Sequence, residues 1–123
     1  MAMERTYVDG KRVNVRTLQM LKMWQFNALH DFYVIQGSYN TGVGASAGTH
    51  DGGGALDLSV SGVKDIKWAV KQGRLAGFAA WYRPYRPGLW GAHIHAIAIG
   101  DGEMSYGARQ QVAEYYAGYD GLA

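Results

Sequence analysis

The chain has 123 residues, a formal net charge of +2 and no cysteine, and 48% of its residues are hydrophobic. This length predicts one domain with a single core, spanning residues 1–123, and the composition excludes a disordered chain. The lack of cysteine excludes disulfides and thiolate metal sites, so a metal site must use histidine and carboxylate ligands.

The first predicted element is a helix over residues 14–30. Its apolar stripe has helical spacing and consists of Thr17, Met20, Leu21, Trp24 and Ala28. A strand follows over 32–35, because aromatic and β-branched residues occupy these positions. Residues 36–54 form a long loop rich in Gly, Ser, Thr and Asn. Loops of this length in small domains are usually functional, so we expect part of a site here.

The second half alternates apolar strands with two further helices. A strand over 55–60 places Asp57 on the face opposite Leu56 and Leu58. The remaining predicted elements are a helix over 63–75, strands over 78–82 and 93–99, and a helix over 106–117 capped by Ser105. Because strands follow one another without intervening helices, the predicted fold is α+β, an antiparallel sheet packed against helices.

Two histidine-containing motifs are the most informative features of the sequence. The run from His50 to Asp57 reads His-Asp-Gly-Gly-Gly-Ala-Leu-Asp, and the later strand begins with His93, Ile94 and His95. Alternation along that strand places both histidines on the face opposite Ile94. Three glycines allow the tight backbone path that brings His50 and Asp57 to one ion. Two imidazoles and one carboxylate leave a fourth coordination position open, as a catalytic zinc requires.

Together the two motifs resemble the M15 family of zinc D-Ala-D-Ala carboxypeptidases and endopeptidases. That family includes phage endolysins that cleave peptidoglycan and shares the fold of the Hedgehog signalling domain. The resemblance spans about residues 14–117. It implies one zinc ion held by His50, Asp57 and His95, with His93 as a catalytic or oxyanion-stabilising group. It also implies hydrolysis of an amide bond in a peptidoglycan stem peptide or cross-link by zinc-activated water, in a single catalytic domain.

The chain departs from the family pattern at a position that contacts substrate in many relatives. Many relatives carry Ser-Gly-Tyr-Arg before the first motif, and the matching stretch here contains Tyr39 but no arginine. Arg83 or Arg86 can replace that arginine, since a guanidinium pairs with a carboxylate through two hydrogen bonds. Trp90, between glycines, is expected to form an exposed substrate wall. We therefore predict substrate contacts from Tyr39, Arg83 and Trp90.

The general base is not identified by the sequence. Ala92 stands where several branches of the family carry an acidic residue, and Asp51 and Glu103 are the other carboxylates near the motifs. Gly48 stands where many relatives have serine, with Ser46 close by. A zinc-containing wall-binding module without catalysis is therefore an alternative to the peptidase. The bond that is cut, whether D-Ala-D-Ala, L-Ala-D-Glu or a cross-bridge, also stays open.

The remaining expectations concern partners and location. A metal-dependent nuclease is a second alternative, because a basic stripe accompanies the His/Asp clusters, at Lys64, Lys67, Lys71 and Arg74. The pattern of base-stacking and phosphate-binding residues is lacking, so we expect no nucleic acid partner. The polar start, Met1 to Arg5, lacks a signal peptide, and no segment is long enough to cross a membrane. We expect a monomer that acts on the cell wall, released as phage lysins are or excised from a secreted protein.

Overall fold

The computed structural model describes residues 2–41 and 48–122. Ser46 and the middle of the predicted 36–54 loop lie outside these residues. The elements are β1 (Arg5–Val8), β2 (Lys11–Asn14), α1 (Val15–Ala28), β3 (Val34–Gln36), β4 (Ala55–Ser59), α2 (Ile66–Leu75), β5 (Phe78–Arg83), β6 (His93–Ala98) and α3 (Tyr106–Tyr116). None of the helices in these ranges is long and apolar enough to cross a membrane.

Four strands form the main sheet, in the order β3-β4-β6-β5, and every neighbouring pair is antiparallel. The prediction of an α+β fold with an antiparallel sheet is therefore confirmed. The register places four residues in one row across the sheet, in the order Gln36, Asp57, His95 and Trp81. Directly opposite residues share a face of a sheet, so this row belongs to one surface.

The two faces of the sheet have different roles. One face packs against α1 and α2 and carries the larger core, which includes Trp24, Leu56, Leu58, Phe78 and Ile94. The opposite face packs against α3 through a smaller cluster, formed by Ala55, Ala79, Trp81, Ile97 and Ala108. The strand alternation predicted for β4 and β6 therefore separates the apolar core from the face that carries Asp57 and His95.

The helix starts follow their capping residues. Ser105 caps α3, as predicted, because its hydroxyl accepts a hydrogen bond from the Ala108 N–H. α2 begins at Ile66 rather than at residue 63, since Asp65 is its cap and accepts from the Trp68 N–H. α1 begins after Asn14, whose side chain accepts from the Thr17 N–H.

An N-terminal hairpin, β1–β2, was absent from the sequence prediction. Its turn is Asp9-Gly10, with φ values of +50° and +76°. This is the signature of a tight hairpin turn, and the Asp-Gly pair was the signal available in the sequence. The hairpin brings Asn14 to Asp101, where the amide donates to the carboxylate at 2.6 Å. The first residues of the chain thereby brace the loop that follows β6.

Candidate metal centre

Three side chains from distant parts of the chain converge at one point. His50 Nε2 lies 3.3 Å from Asp57 Oδ1, and His95 Nδ1 lies 2.8 Å from the same oxygen. One ligand atom from each of the three residues lies within 4.8 Å of the others, so the group could hold a metal ion. His50 is fully buried and His95 is 5% exposed, which places the group inside the protein.

The sheet and a glycine-rich turn position these side chains. Asp57 and His95 are directly opposite in the β4–β6 ladder, so strand pairing fixes their separation. His50 reaches them from the turn before β4, which runs very close to neighbouring backbone. A Cβ atom on Gly52 would lie 2.3 Å from the Glu103 carbonyl oxygen, so only glycine fits there. Gly54 has φ +87°, a conformation that other residues rarely adopt.

A hydrogen bond behind the ring fixes the tautomer of His50. Its Nδ1 lies 2.7 Å from the Gly37 carbonyl oxygen, which can only accept. Nδ1 must therefore carry a proton, which leaves Nε2, on the side of Asp57, as the nitrogen that could bind a cation. Among the described residues Nε2 has no hydrogen-bond partner, although it is buried. A buried ring nitrogen without a partner beside a carboxylate is the arrangement that a cation would satisfy.

His95 is fixed in the opposite tautomer by Gln111 of α3. The Gln111 amide nitrogen donates to the Gly121 carbonyl at 2.9 Å, so its oxygen must face the ring. That oxygen lies 2.6 Å from His95 Nε2, which therefore carries the proton. Nδ1 lies 2.8 Å from Asp57 Oδ1 and is the ring nitrogen left for a metal ion. Hydrogen bonds of this kind orient metal-binding histidines in general.

Asp57 supplies the negative charge of the group. Burial raises the pKa of this carboxyl, but the imidazoles of His50 and His95 beside it outweigh that effect and hold the pKa well below its usual range. Asp57 is therefore ionised at neutral pH. Atoms bound about 2.0–2.2 Å from a tetrahedral ion lie about 3.3–3.6 Å apart, and the His50–Asp57 separation of 3.3 Å meets this requirement. The His95–Asp57 separation of 2.8 Å is that of a hydrogen bond, and these two atoms would move apart by about 0.5 Å around an ion. The donor set therefore fits a divalent cation.

His93 lies next to this group but is not part of it. Its Nε2 is 3.8 Å from Asp57 Oδ1, and its Nδ1 lies 2.7 Å from the Gly91 carbonyl oxygen. The carbonyl fixes the proton on Nδ1, so Nε2 of the neutral ring is free to accept a proton on the side of the site. The Trp90 ring packs edge-on against His93, with centroids 5.9 Å apart.

A pocket of about 140 Å³ opens over the convergent side chains. Arg83 and Trp90, two of the three predicted substrate residues, line it. The other lining residues include the metal group, His50, Asp57 and His95, and the adjacent His93. Arg83 is buried and donates one hydrogen bond to the Asp120 carbonyl. Burial lowers the pKa of Arg83, while the charges of Asp120 and Asp57 raise it.

Tyr39 lies away from the pocket. Its hydroxyl lies 2.6 Å from Glu103 Oε1, to which it donates, and 3.3 Å from the Asn14 amide nitrogen. The Arg5 guanidinium covers its ring at 3.7 Å. Burial and the bond to Glu103 raise the pKa of Tyr39. The structure therefore gives Tyr39 a bracing position and engages Glu103 with it, while Asp51 is exposed.

Three polar residues that line the pocket were not predicted from the sequence. Gln36 and Thr49 line the pocket, and each has a buried polar atom without a partner in the described part of the chain, as does Arg83 Nη2. Thr49 adjoins a predicted ligand, and Gln36 precedes the long loop, so proximity in sequence was a usable signal for both. Gln111 had no such signal, because only the packing of α3 on the sheet brings it to His95.

Comparison with known proteins found no match: no family model, no curated protein and no solved structure matched this chain. The function is therefore inferred from the side chains around the pocket and from the motifs that carry them. These side chains comprise two imidazoles and a carboxylate suited to a cation, with a third imidazole beside them.

Proposed function

We propose that the protein is a zinc peptidase that hydrolyses an amide bond in a peptidoglycan stem peptide or cross-link. The proposal includes a Hedgehog/DD-peptidase-like fold and one zinc ion held by His50, Asp57 and His95. The observation that carries it is the convergence of two ring nitrogens on one ionised carboxylate beneath a pocket. When bound, zinc lowers the pKa of water toward 7 and polarises a carbonyl oxygen.

Three features of the donor set favour zinc. Two nitrogens and one oxygen are typical ligands for this ion, and three protein ligands leave a position open for chemistry. Both imidazoles are oriented from behind, by the Gly37 carbonyl and by Gln111. Hydrogen bonds of this kind hold the rings in the orientation that a metal ligand needs.

His93 is the residue we assign to proton transfer. Among the described residues lining the pocket, it is the one imidazole outside the metal group, and Asp57 is the one carboxylate. His93 Nε2 faces the site and can hold a proton there or stabilise a developing oxyanion. Ala92 has no group that could act as a base, and Glu103 is engaged by Tyr39. The proton chemistry therefore falls to His93.

The lining of the pocket favours a peptide substrate. Gln36 Nε2, Thr49 Oγ1 and Arg83 Nη2 offer hydrogen-bond donors, and peptide carbonyl and carboxylate groups are their natural acceptors. Leu89 and Trp90 add an apolar wall for a side chain or sugar face. Arg83 is the one lysine or arginine among the described lining residues. A single cation is too few to hold a nucleic acid backbone, so a nuclease is not favoured.

The experiment is digestion of purified peptidoglycan by the protein loaded with one equivalent of zinc. Mass spectrometry of the released fragments identifies the bond, and amine labelling counts the new termini. His93→Ala is the test variant. His30→Ala is the matched control, because His30 packs against Phe32 outside the pocket.

Each outcome has a defined meaning. Zinc-dependent release of new termini, lost in His93→Ala and kept in His30→Ala, supports the peptidase. Stoichiometric zinc without any cleavage overturns the peptidase and favours the wall-binding module. Failure to bind zinc overturns both.

A further inference from the structure

The segment that follows α3 is tied down by side chains of the pocket face. Three consecutive backbone carbonyls accept hydrogen bonds: Tyr119 from Trp81 Nε1 at 3.0 Å, Asp120 from Arg83 Nη1, and Gly121 from Gln111 Nε2 at 2.9 Å. We call residues 119–121 the C-terminal strap. The side chains of Trp81 and Arg83 on β5 and of Gln111 on α3 thus hold this segment beside the pocket.

Two of these three donors also touch the ligand His95. Gln111 accepts a hydrogen bond from His95 Nε2 at 2.6 Å, and the Trp81 ring stacks on the His95 ring with the planes 14° apart. The amide of Gln111 cannot turn over without losing its bond to Gly121, because a carbonyl oxygen cannot donate. Attachment of the strap therefore selects the amide orientation that keeps a proton on His95 Nε2 and leaves Nδ1 as the nitrogen available to a metal ion.

The close approach of the strap depends on Gly121. Its φ is +76°, and a Cβ atom there would lie 3.2 Å from Arg83 Nη2 and 3.3 Å from the Trp81 ring. Gly121 is buried although its neighbours Asp120 and Leu122 are exposed. A glycine at this point is what lets the backbone carbonyl reach Gln111.

We propose that Gln111 is a positioning residue that couples the C-terminal strap to metal binding. The strap fixes the amide of Gln111, the amide holds a proton on His95 Nε2 and orients the ring, and Nδ1 binds the ion. Release of the strap therefore weakens metal binding, and metal binding tightens the strap, since coupling between two sites is reciprocal. This inference rests on the metal site proposed above and not on the peptidase reaction.

The test measures zinc affinity by competition with a chromophoric chelator, together with the visible spectrum of the Co²⁺-substituted protein. Gln111→Leu removes both hydrogen bonds and is expected to weaken zinc binding about 10- to 100-fold. Gln111→Glu keeps an acceptor for His95 but has no donor for Gly121. It should therefore restore much of the affinity and the wild-type Co²⁺ spectrum. Gln110→Leu is the matched control, because Gln110 is the exposed neighbour on the same helix.

A second pair of variants tests the strap without altering any donor side chain. Gly121→Ala should weaken zinc binding several-fold, because the added methyl group pushes the strap from Trp81. Gly10→Ala has the same positive φ of +76° but nothing within 4 Å, so it controls for backbone strain alone. Circular dichroism establishes that each variant is folded.

The inference is overturned if Gln111→Leu and Gly121→Ala are folded and bind zinc as tightly as the wild type. If Gln111→Leu does not fold, Gly121→Ala decides the question on the same readout. Unaltered affinity in Gln111→Leu and Gly121→Ala refutes the coupling while leaving the peptidase standing. Conversely, a wild-type protein that binds zinc tightly but cleaves nothing refutes the peptidase and leaves the coupling to be judged by the variants.

Discussion

The indole of Trp81 stacks on the imidazole of His95, with ring centroids 6.0 Å apart and planes inclined by only 14°. The two residues are directly opposite in the β5–β6 ladder. Trp81 is also part of the apolar cluster under α3. One side chain therefore joins the smaller core to a ligand of the candidate metal centre.

Substitution of Trp81 should destabilise the fold and the site together. We expect Trp81→Ala to lower the free energy of unfolding by about 3–5 kcal/mol, because it leaves a large cavity. Trp81→Phe keeps a ring against His95 and loses the hydrogen bond to the Tyr119 carbonyl, so its cost should be about 1 kcal/mol. Urea denaturation in the presence of a chelator measures both. Trp68→Ala, at a 42% exposed position, should cost much less, and equal losses would contradict this role for Trp81.

Alanine substitutions of His93 and His95 should have different effects on zinc content and on kcat. Loss of His95 removes a metal ligand, so bound zinc should fall to a small fraction of one equivalent. Loss of His93 should leave zinc stoichiometry near one while lowering kcat by about 10²- to 10⁴-fold, the range for a group that transfers a proton. Metal analysis after gel filtration and a wall-cleavage assay give the two readouts. Loss of zinc from His93→Ala would show that His93 is itself a ligand.

Substitution of Arg83 should weaken substrate binding without slowing the chemical step. Replacing Arg83 with methionine keeps much of its bulk and removes the charged donor. We expect kcat/KM to fall about 10- to 100-fold, the value of a hydrogen bond to a charged group, mainly through a higher KM. Arg86→Met is the control, because Arg86 is exposed and lies over the Trp90 ring outside the pocket lining. Equal effects from both variants would indicate general charge steering of substrate.

Tyr39 should make stability depend on alkaline pH. Because folding raises its pKa, its contribution is fully present below the unfolded-state value of about 10 and is lost as the pH rises toward the higher folded-state value. Tyr39→Phe should therefore be less stable than the wild type by about 1–2 kcal/mol at pH 8, and the gap should shrink at pH 11. Urea midpoints at the two pH values provide the measurement. A constant gap would show that the hydroxyl does not ionise more easily after unfolding.

Much of the fold follows from local patterns in the sequence. Alternation along β4 and β6 placed Asp57 and His95 on the face opposite the apolar core, and the register of the two strands agrees. Ser105 marked the start of α3 because a hydroxyl before an amphipathic stretch satisfies free N–H groups. These features depend on residues near one another in the chain, so the sequence alone was enough to predict them.

The parts that were missed depend on distant contacts. Gln111 faces His95 only because α3 packs on the sheet, and no spacing rule relates residues 95 and 111. Tyr39 was expected at the substrate, yet Asn14 from the unpredicted hairpin reaches its hydroxyl. A hydrogen bond across 25 residues cannot be read from a motif. The hairpin itself had a signal in the sequence, because the Asp9-Gly10 pair is typical of a tight hairpin turn.

The pairing of β4 with β6 makes ion uptake a reporter of correct folding. Side chains alternate along a strand. A slip of one residue in this ladder would therefore turn Asp57 toward α1 and α2 and bring Leu58 or Leu56 beside His95. Such a misfolded chain would keep much of its secondary structure, yet it would lack a carboxylate to neutralise the cation. With the proposed zinc site, metal content per chain therefore counts natively registered molecules in a preparation, which spectroscopic helix and sheet content does not.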